Sequence, residues 1–333
     1  MKKKIFLGIT CGDINGIGLE TVIKVFQNSK LFNFCIPILY VPLQVFNFYV
    51  QQFQDVNFSF KLINNSLEAA PNQLNIISFL NTSLTLNPGL STKIASQIAV
   101  RSINLVINDF KKQHIDFIVT LPVNKKNISI TLNNFVGHTE YFAESFNNTP
   151  NIMLLCNDQF KIATLTNHVP ISAVSSMVTK NLLKEKIQIL KKVCQRDFLI
   201  KIPKIAVLSL NPHSGDEGLI GKEDNEIISP VIDEFNISRK FVFGPFSADA
   251  FFGTKNYTKY DIVLAMYHDQ ALIPFKTLSF GTGVNYTAGL PVVRVSPDHG
   301  VAYDIAAKGL ADESSLLSTI NFGIRVFQNR ISR

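Results

Sequence analysis

Three histidines each follow an apolar segment of the kind that forms buried strands. FKIATLT precedes His168, PKIAVLSL precedes His213, and DIVLAMY precedes His268. Because ligands of α/β proteins gather beyond the carboxyl ends of strands, the three imidazoles could converge there. Three neutral imidazoles can hold a divalent ion and leave coordination positions open for a substrate oxygen. One such histidine alone would more often be structural, so the repetition is what favours a catalytic metal site.

Other candidate residues lie next to these histidines or in glycine-rich segments. Asp269 directly follows His268 and could orient an imidazole. Lys276 precedes FGTGVNYTAGLPVVRVSPDHG, which contains Asn285 and Arg294, and the two cations could bind a phosphate or a carboxylate. The amides of the first glycine loop, GITCGDINGIGLE, could meet an anion, although a tight turn is an equally good interpretation. LNPHSGDEGLIGKED lacks the GxGxxG spacing and is weak evidence for a nucleotide.

The elements that would position these residues alternate along the chain. Short segments rich in Ile, Val and Phe, separated by helical patterns, predict an α/β fold with a parallel or mixed sheet covered by helices. Residues 180–197 and 92–110 have the spacing of amphipathic helices. The predicted buried faces are Leu183, Ile187, Leu190 and Cys194 in the first helix, and Ile94, Ile98, Leu105 and Val106 in the second.

The composition argues against several classes of protein. The 333 residues are 46% hydrophobic and 17% charged, which is typical of a globular chain long enough for two domains. No apolar run reaches the roughly 20 residues of a membrane-spanning helix. The four cysteines form no CxxC pair, which argues against a zinc ribbon or a disulfide framework and fits a reducing cytoplasm. The net charge of +7 is spread along the chain and favours attraction of small anions over nucleic acid binding.

Several long, ordered motifs resemble the 4-hydroxythreonine-4-phosphate dehydrogenase family of pyridoxal phosphate biosynthesis. They run almost end to end: GDINGIGLE, TLPVNKKNI, GHTEYFAE, LNPHSGDEGLIGKED, GPFSADAFF, VLAMYHDQALIPFK and GVNYTAGLPVVRVSPDHGVAYDIAAKGLAD. The resemblance implies a fold like that of isocitrate and isopropylmalate dehydrogenases, with two α/β/α domains, a cleft between them, and a homodimer with its active site at the subunit interface. We predict one domain of residues 1–125 plus 278–333, with the nucleotide-binding loop, and another of residues 126–277, with the metal ligands and dimer contacts.

The resemblance also implies roles for individual residues. The metal ligands would be the three strand-end histidines, His168 coming from one subunit and the other two from its partner, although the sequence does not show which ligand crosses. Asp304 matches the acidic residue that meets the ribose hydroxyls in the wider superfamily and would favour NAD over NADP. Asp249 and Lys276 are the candidates for the group that removes the alcohol proton. The implied substrate contacts are His138, Thr139, Lys276, Asn285 and Arg294.

The first glycine loop departs from the family pattern GDPAGIGPE. Ile14, Asn15 and Leu19 stand where Pro, Ala and Pro are expected. Loss of two prolines should loosen the turn, but it removes no ligand.

The implied activity is the NAD-dependent oxidation of 4-phosphooxy-L-threonine to a β-keto acid, which loses carbon dioxide to give 3-amino-2-oxopropyl phosphate. A divalent ion would assist both steps, and the sequence leaves the choice among zinc, cobalt, magnesium and manganese open because three imidazoles suit several ions. One alternative is a related dehydrogenase of another four-carbon hydroxy acid. A second is a phosphotransacylase-like enzyme, whose chemistry needs no metal, and a third is a binding protein on the same scaffold that has lost a ligand or Lys276.

Overall fold

The computed structural model divides the chain into two compact units. It describes residues 4–27, 30–52, 59–132, 137–279 and 281–332. Unit 1 comprises Met1–Asn148 and Pro291–Gln328, and unit 2 comprises Thr149–Leu290 and Asn329–Arg333. Each unit therefore combines segments that are distant in the sequence.

The described residues form twelve strands and eleven α-helices. The strands are β1 (Ile5–Thr10), β2 (Cys35–Tyr40), β3 (Phe60–Ile63), β4 (Leu74–Ile77), β5 (Phe117–Val119), β6 (Ile152–Cys156), β7 (Lys161–Thr164), β8 (Ile205–Leu208), β9 (Val242–Phe246), β10 (Ile262–Ala265), β11 (Val284–Ala288) and β12 (Arg294–Pro297). The helices are α1 (Gly18–Gln27), α2 (Leu43–Gln52), α3 (Lys93–Lys111), α4 (Lys125–Thr131), α5 (His138–Ser145), α6 (Ile171–Met177), α7 (Lys180–Asp197), α8 (Ser229–Asn236), α9 (Ala248–Gly253), α10 (His268–Ser279) and α11 (Ser314–Ile331). None of these described helices is both long and apolar enough to cross a membrane.

Unit 1 is organised around a parallel sheet. Its strand order is β3-β4-β2-β1-β5-β12, and each neighbouring pair is parallel. Strands β2 and β5 are buried along their whole length, because their apolar side chains are covered on the faces of the sheet. The loops that follow β1 and β5 meet, since the backbone N–H of Asp13 donates to the carbonyl oxygen of Pro122 at 2.9 Å.

Unit 2 has a mixed sheet in the order β11-β6-β7-β10-β8-β9. Strand β6 is antiparallel to both β11 and β7, whereas the pairs β7–β10, β10–β8 and β8–β9 are parallel. The central strands β10 and β8 are buried throughout. The carboxyl ends of β7, β10 and β8 therefore lie side by side, and these are the strands that the sequence predicts to present the histidines.

The predicted α/β fold is confirmed, and each apolar segment interpreted as a strand contains one. The sequence analysis missed β3 and β11. Strand β3 has two exposed residues among its four, so it lacks a continuous apolar pattern. Strand β11, with the sequence VNYTA, lies in a glycine-rich segment, and its strand conformation comes from antiparallel pairing with β6.

The two predicted amphipathic helices are present. In α7 the predicted buried face is correct at all four positions. In α3 the prediction is wrong for Ile94, which is 38% exposed, and for Leu105, which is half-buried. The small residues Ala95, Ala99 and Ser102 occupy the buried face instead, because they allow the helix to pack closely against β1 and β2.

The boundaries between the units differ from the predicted ones. The chain changes unit after residues 148, 290 and 328, whereas the predicted domain bounds lie after residues 125 and 277. Helix α4 stays with unit 1 because it packs against α3, and β11 stays with unit 2 because it pairs with β6. His138 and Thr139 of α5 consequently belong to unit 1.

A buried ion cluster joins the end of the chain to unit 2. Asp197, at the end of α7, is fully buried and accepts hydrogen bonds from Arg196 Nε at 2.7 Å, Arg330 Nε at 2.8 Å and Tyr286 OH at 2.6 Å. Burial alone would raise the pKa of Asp197, but the hydrogen bonds from Arg196 and Arg330 lower it below its ordinary value. The Arg196 side chain is 37% exposed, whereas the Arg330 side chain is only 10% exposed.

We expect Asp197→Ala to lower the free energy of unfolding by about 3–5 kcal/mol, because it leaves the buried Arg330 cation without its carboxylate. Arg196→Ala, which removes the more exposed partner, should cost less than about 1 kcal/mol. Since the pKa of Asp197 is lowered in the folded state, its contribution is complete above the unfolded-state pKa and is lost as the pH falls through the folded-state pKa. Urea unfolding at several pH values measures both effects. Equal losses in the two variants at neutral pH would contradict this account.

Candidate active site

The three strand-end histidines follow three adjacent parallel strands of unit 2. His168 comes shortly after β7, His213 after β8, and His268 after β10 as the first residue of α10. The ring centroids of His168 and His268 are 5.6 Å apart. Both rings line a cavity together with Tyr267 and Asp269. Two of the three predicted ligands are therefore neighbours within one chain.

Three polar residues, His268, Asp269 and Gln270, directly follow the apolar segment DIVLAMY, and contacts in the structure explain the two that come after His268. Asp269 Oδ1 lies 2.6 Å from His268 Nδ1, so the carboxylate orients the imidazole and leaves Nε2 as the nitrogen for a metal. Gln270 accepts a hydrogen bond from the Met266 amide at 2.7 Å and donates one to the Ser209 carbonyl oxygen at 2.8 Å. Gln270 thus joins the end of β10 to the end of β8 and fixes the position of His268.

His213 lies in a left-handed turn of unit 2. Residues 213–217 all have positive φ values, from 43° to 80°. Asp224, which is buried, holds the start of this turn because its carboxylate accepts the amides of Leu210 at 2.8 Å and Asn211 at 3.0 Å. The sequence analysis did not identify Asp224, although it lies in LNPHSGDEGLIGKED.

The donor set fits a divalent ion, with one ligand still to be supplied. Two imidazoles share a cavity, and one of them is oriented by a carboxylate, as metal-binding histidines commonly are. Within the described part of one chain, however, no three histidine, cysteine or carboxylate side chains come close enough to hold a metal. The predicted division, with His168 from one subunit and His213 and His268 from its partner, stays a prediction. In one chain, the imidazoles of His168 and His268 are neighbours.

Arg294 is the principal cation of the predicted anion site in unit 1. It is the first residue of β12 and only 2% exposed. Its Nε donates to the hydroxyl of Thr120 at 3.0 Å, and its guanidinium lies 5.7 Å from the ring centre of Phe142. Burial lowers the pKa of Arg294 to about 9, and the charge of Glu140 opposes that change. Arg294 therefore remains a cation at neutral pH inside an apolar setting, where its attraction for an anion is strong.

His138 and Thr139 open helix α5 close to Arg294. Burial, followed by the charges of Arg294 and Lys125, lowers the pKa of His138 well below its ordinary value. His138 is consequently neutral at physiological pH and can contribute hydrogen bonds without adding charge.

Lys125 is a member of this site that the sequence analysis missed. Burial lowers its pKa, Glu140 raises it and Arg294 lowers it, so the three charged groups lie within range of one another. Two cations and one carboxylate leave a net positive charge for an anionic substrate. The motif TLPVNKKNI contains Lys125, and the available signal was the position of that lysine at the start of the helix that follows β5.

The remaining predicted substrate contacts belong to unit 2. Lys276 is exposed on α10. Asn285 is on β11, and its Oδ1 is a buried acceptor that receives no hydrogen bond from the described residues. Lys276 and Arg294, which we predicted to bind one anion together, therefore fall in different units.

Asp249 is an exposed residue in the first turn of α9. The hydroxyl of Ser247 donates to its Oδ1 at 2.5 Å. This hydrogen bond is the main reason that the pKa of Asp249 is lowered, and the nearby His213 contributes in the same direction. Asp249 is therefore a stable carboxylate beside one of the predicted metal ligands.

The first glycine loop forms a tight turn, which is one of the two interpretations of its sequence. The amides of Asp13, Gly16 and Ile17 donate to backbone carbonyl oxygens, and the amide of Asn15 donates to Asp13 Oδ1 at 2.9 Å. These donors are already used within the chain. The Asn15 side chain also donates to the Leu90 carbonyl oxygen at 2.9 Å, a hydrogen bond that the expected alanine could not form.

The segment of residues 298–304 offers polar groups to a ligand. Asp304 is exposed in the turn Tyr303–Ile305. The Nε2 atom of His299 is buried and has no hydrogen-bond partner among the described residues. A side chain added at Gly300 would meet no atom within 4 Å, so the backbone there borders open space. An exposed carboxylate and an accessible backbone are the features that the predicted nucleotide-binding loop requires, and the role of the loop stays a prediction.

Comparison with known proteins identifies the family to which this fold and these residues belong. The family described as pyridoxal phosphate biosynthetic protein PdxA matches residues 33–323. The chain therefore belongs to the PdxA family.

Individual relatives extend this assignment. The chain is 42% identical over 330 residues to the 4-hydroxythreonine-4-phosphate dehydrogenase of Bacteroides thetaiotaomicron, covering 99% of this chain and 90% of the relative. It is 33% identical over 330 residues to an Oceanobacillus iheyensis protein with the provisional name D-threonate 4-phosphate dehydrogenase, covering 98% and 99%. The crystal structure of 4-hydroxythreonine-4-phosphate dehydrogenase from Klebsiella pneumoniae is similar with a TM-score of 0.84 and 30% identity, covering 98% of this chain and 99% of that one.

Proposed function

We propose that this chain is a 4-hydroxythreonine-4-phosphate dehydrogenase that uses NAD and a divalent metal ion. The substrate would be 4-phosphooxy-L-threonine, and the β-keto acid formed would lose carbon dioxide to give 3-amino-2-oxopropyl phosphate. The observation that carries this proposal is the close pair of imidazoles, His168 and His268, after adjacent strands in a chain of the PdxA family. The names of the relatives support the choice of substrate.

The proposed metal ligands are His168 and His268 of one subunit and His213 of the partner subunit. When bound, a divalent ion would supply Lewis acidity for the oxidation and the decarboxylation. Asp269 would keep the His268 ring in the orientation that presents Nε2. Zinc, cobalt, magnesium and manganese all remain candidates, because imidazole ligands accept several ions.

A homodimer with a shared active site is supported by exposed apolar residues that follow each histidine within a few positions of the sequence. Ile171 follows His168 and is 72% exposed, Leu219 follows His213 and is 83% exposed, and Ile273 follows His268 and is 65% exposed. Exposed apolar side chains that cluster near polar site residues are typical of protein interfaces. A second copy of the chain would cover these side chains and supply the missing ligand in both sites by twofold symmetry.

The proposed substrate contacts divide by charge. Arg294 would pair with an anionic group of the substrate, while neutral His138 and Thr139 add hydrogen bonds at the start of α5. Asn285 would offer its buried Oδ1 as an acceptor to a donor such as the substrate ammonium group. Lys276 would supply a further cation. Such contacts hold the reacting carbon in a fixed orientation toward the cofactor.

Of the two candidates for proton removal, Lys276 is the one we propose. Asp249 already accepts a hydrogen bond from the Ser247 hydroxyl at 2.5 Å, and its carboxylate lies within electrostatic range of His213. Asp249 is better suited to orienting His213. We therefore assign Asp249 a positioning role.

Lys276→Met should reduce kcat by about a hundredfold or more, because proton transfer is removed. Asp249→Asn should reduce kcat by only about tenfold to a hundredfold, as is usual when the partner of a metal ligand is lost. Steady-state kinetics with saturating metal measures both values. A larger kcat loss in Asp249→Asn than in Lys276→Met would reverse the assignment.

NAD would bind along residues 298–304, with Asp304 accepting hydrogen bonds from the ribose hydroxyls. A carboxylate there disfavours the 2′-phosphate of NADP. The proposed location is the cytoplasm, where cysteines such as Cys11 and Cys156 remain reduced.

A related dehydrogenase acting on another four-carbon hydroxy acid is the second candidate, and the relative from Oceanobacillus iheyensis favours it. Family membership gives no support to a phosphotransacylase. The deciding experiment compares kcat/KM for NADH formation with 4-phosphooxy-L-threonine, D-threonate 4-phosphate and unphosphorylated 4-hydroxythreonine. We expect the first substrate to be used best. Preference for the threonate would move the chain to the second function.

A further inference from the structure

A polar network in unit 1 joins three segments that are far apart in the sequence. The hydroxyl of Tyr303 donates to Asp13 Oδ2 at 2.7 Å, and the other oxygen of Asp13 accepts the amide of Asn15 at 2.9 Å. The Asn15 side chain accepts the amide of Asn87 at 3.1 Å and donates to the carbonyl oxygen of Leu90 at 2.9 Å. Asp13 and Asn15 are 3% and 1% exposed. The first glycine loop is therefore the centre of this network.

The backbone of the segment that carries Tyr303 is closely fitted to its neighbours. The amide of Ile17 donates to the carbonyl oxygen of Val301 at 3.1 Å. A Cβ atom at Gly16 would lie only 2.7 Å from that same oxygen, so a larger residue could not occupy the position. Ala302 has a φ of 44°, in the left-handed region that non-glycine residues rarely adopt. Such a conformation persists only where surrounding contacts maintain it.

Tyr303 and Asp304 are consecutive residues of one short turn, Tyr303–Ile305. The Tyr303 hydroxyl is held by Asp13 and also accepts a hydrogen bond from the Asn124 side chain at 3.3 Å. A displacement of Tyr303 would therefore move Asp304, whose own side chain is exposed. The contact with Asp13 fixes where the Asp304 carboxylate stands.

We propose that Asp13 and Tyr303 are positioning residues for the nucleotide-binding segment of residues 298–307. The hydrogen bond between Asp13 and Tyr303 holds Asp304 and His299 in place for NAD. Asp13 and Tyr303 themselves do not touch the cofactor. This inference rests on the proposed use of NAD. It gives the first glycine loop a function that does not require its amides to bind an anion.

The test replaces Tyr303 by phenylalanine and measures NAD binding to the full-length protein by titration calorimetry. Loss of a hydrogen bond to a charged group should weaken NAD binding about tenfold, because the segment is less well ordered before binding. Tyr40→Phe is the matched control, since Tyr40 OH donates to Asp109 Oδ2 at 2.6 Å in the same unit and outside this network. That variant should bind NAD as the wild type does.

Two further measurements separate positioning from general damage. Amide hydrogen exchange should be faster in residues 299–307 of Tyr303→Phe and unchanged there in Tyr40→Phe. In turnover, Tyr303→Phe should raise the KM for NAD with little change in kcat or in the KM for the phosphorylated substrate.

The outcomes also distinguish this inference from the proposed function. NAD binding by Tyr303→Phe within twofold of the wild type would overturn the positioning role while leaving the dehydrogenase function intact. Absence of NAD binding by the wild type would overturn both the cofactor assignment and this inference. If Tyr303→Phe and Tyr40→Phe weakened NAD binding equally, the hydrogen bond between Tyr303 and Asp13 would contribute only to general stability. That result would also overturn the positioning role.

Discussion

His168→Ala and His268→Ala should each lower the rate of NADH formation by about a thousandfold, because the Lewis acidity of a metal contributes several kcal/mol to the stabilisation of the transition state. His168 is exposed and His268 is half-buried, so neither substitution should unfold the chain. Metal content by mass spectrometry, urea unfolding and initial rates distinguish loss of metal from loss of structure.

His114→Ala provides the matched control for these substitutions. His114 is in unit 1, where it lies 3.9 Å from Asp109, whereas the candidate ligands belong to unit 2. This variant should keep its metal and its rate. Full activity of either His168→Ala or His268→Ala in metal-depleted buffer would remove that residue from the ligand set.

Mixing two inactive variants should restore activity when the two substituted residues are contributed to one active site by different subunits. If His213 of the partner subunit completes the site, a dimer of one His168→Ala chain and one His213→Ala chain has both lesions in one site and a second site that is whole. Random reassociation in equal amounts makes half the dimers mixed, so about a quarter of wild-type activity should return. The measurement is NADH formation after the two variants are refolded together.

The pair His168→Ala and His268→Ala is the control for this experiment. Since these two imidazoles lie in the same chain with centroids 5.6 Å apart, every site in a mixed dimer would lose one ligand and no activity should return. Recovery with this second pair, but not with the first, would show that His268 is the ligand that crosses the interface, and recovery with both pairs would show that it is His168. No recovery with either pair, despite demonstrated subunit exchange, would contradict a shared site.

The parts of the fold and the site that the sequence predicted depend on local patterns. Apolar segments identified the strands, and polar residues just after them identified His168, His213 and His268. Strand order was not predictable in the same way, yet the adjacency of β7, β10 and β8 is what brings the ends of those segments together. Because a histidine side chain is short, the adjacency of β7 and β10 is what allows His168 and His268 to be neighbours.

The missed residues act through contacts between distant segments. Asp224 holds the turn of His213 from the next helical segment, and the Asp13–Tyr303 bond joins positions separated by 290 residues. The sequence around each of these residues has no pattern that reveals its distant partner. Asn15 shows the same limitation, because the loss of two prolines predicted a looser turn while its buried side chain supplies hydrogen bonds across the sequence.

The most direct test of the account is the dependence of NADH formation from 4-phosphooxy-L-threonine on a divalent ion. The wild-type protein is first depleted of metal by a chelator, assayed with the substrate and NAD, and then assayed again after zinc, cobalt, magnesium or manganese is added. We predict no measurable turnover after depletion and restored turnover with at least one ion. An undiminished rate in the depleted protein would contradict the metal-dependent mechanism, and no oxidation of this substrate under any condition would contradict the proposed function.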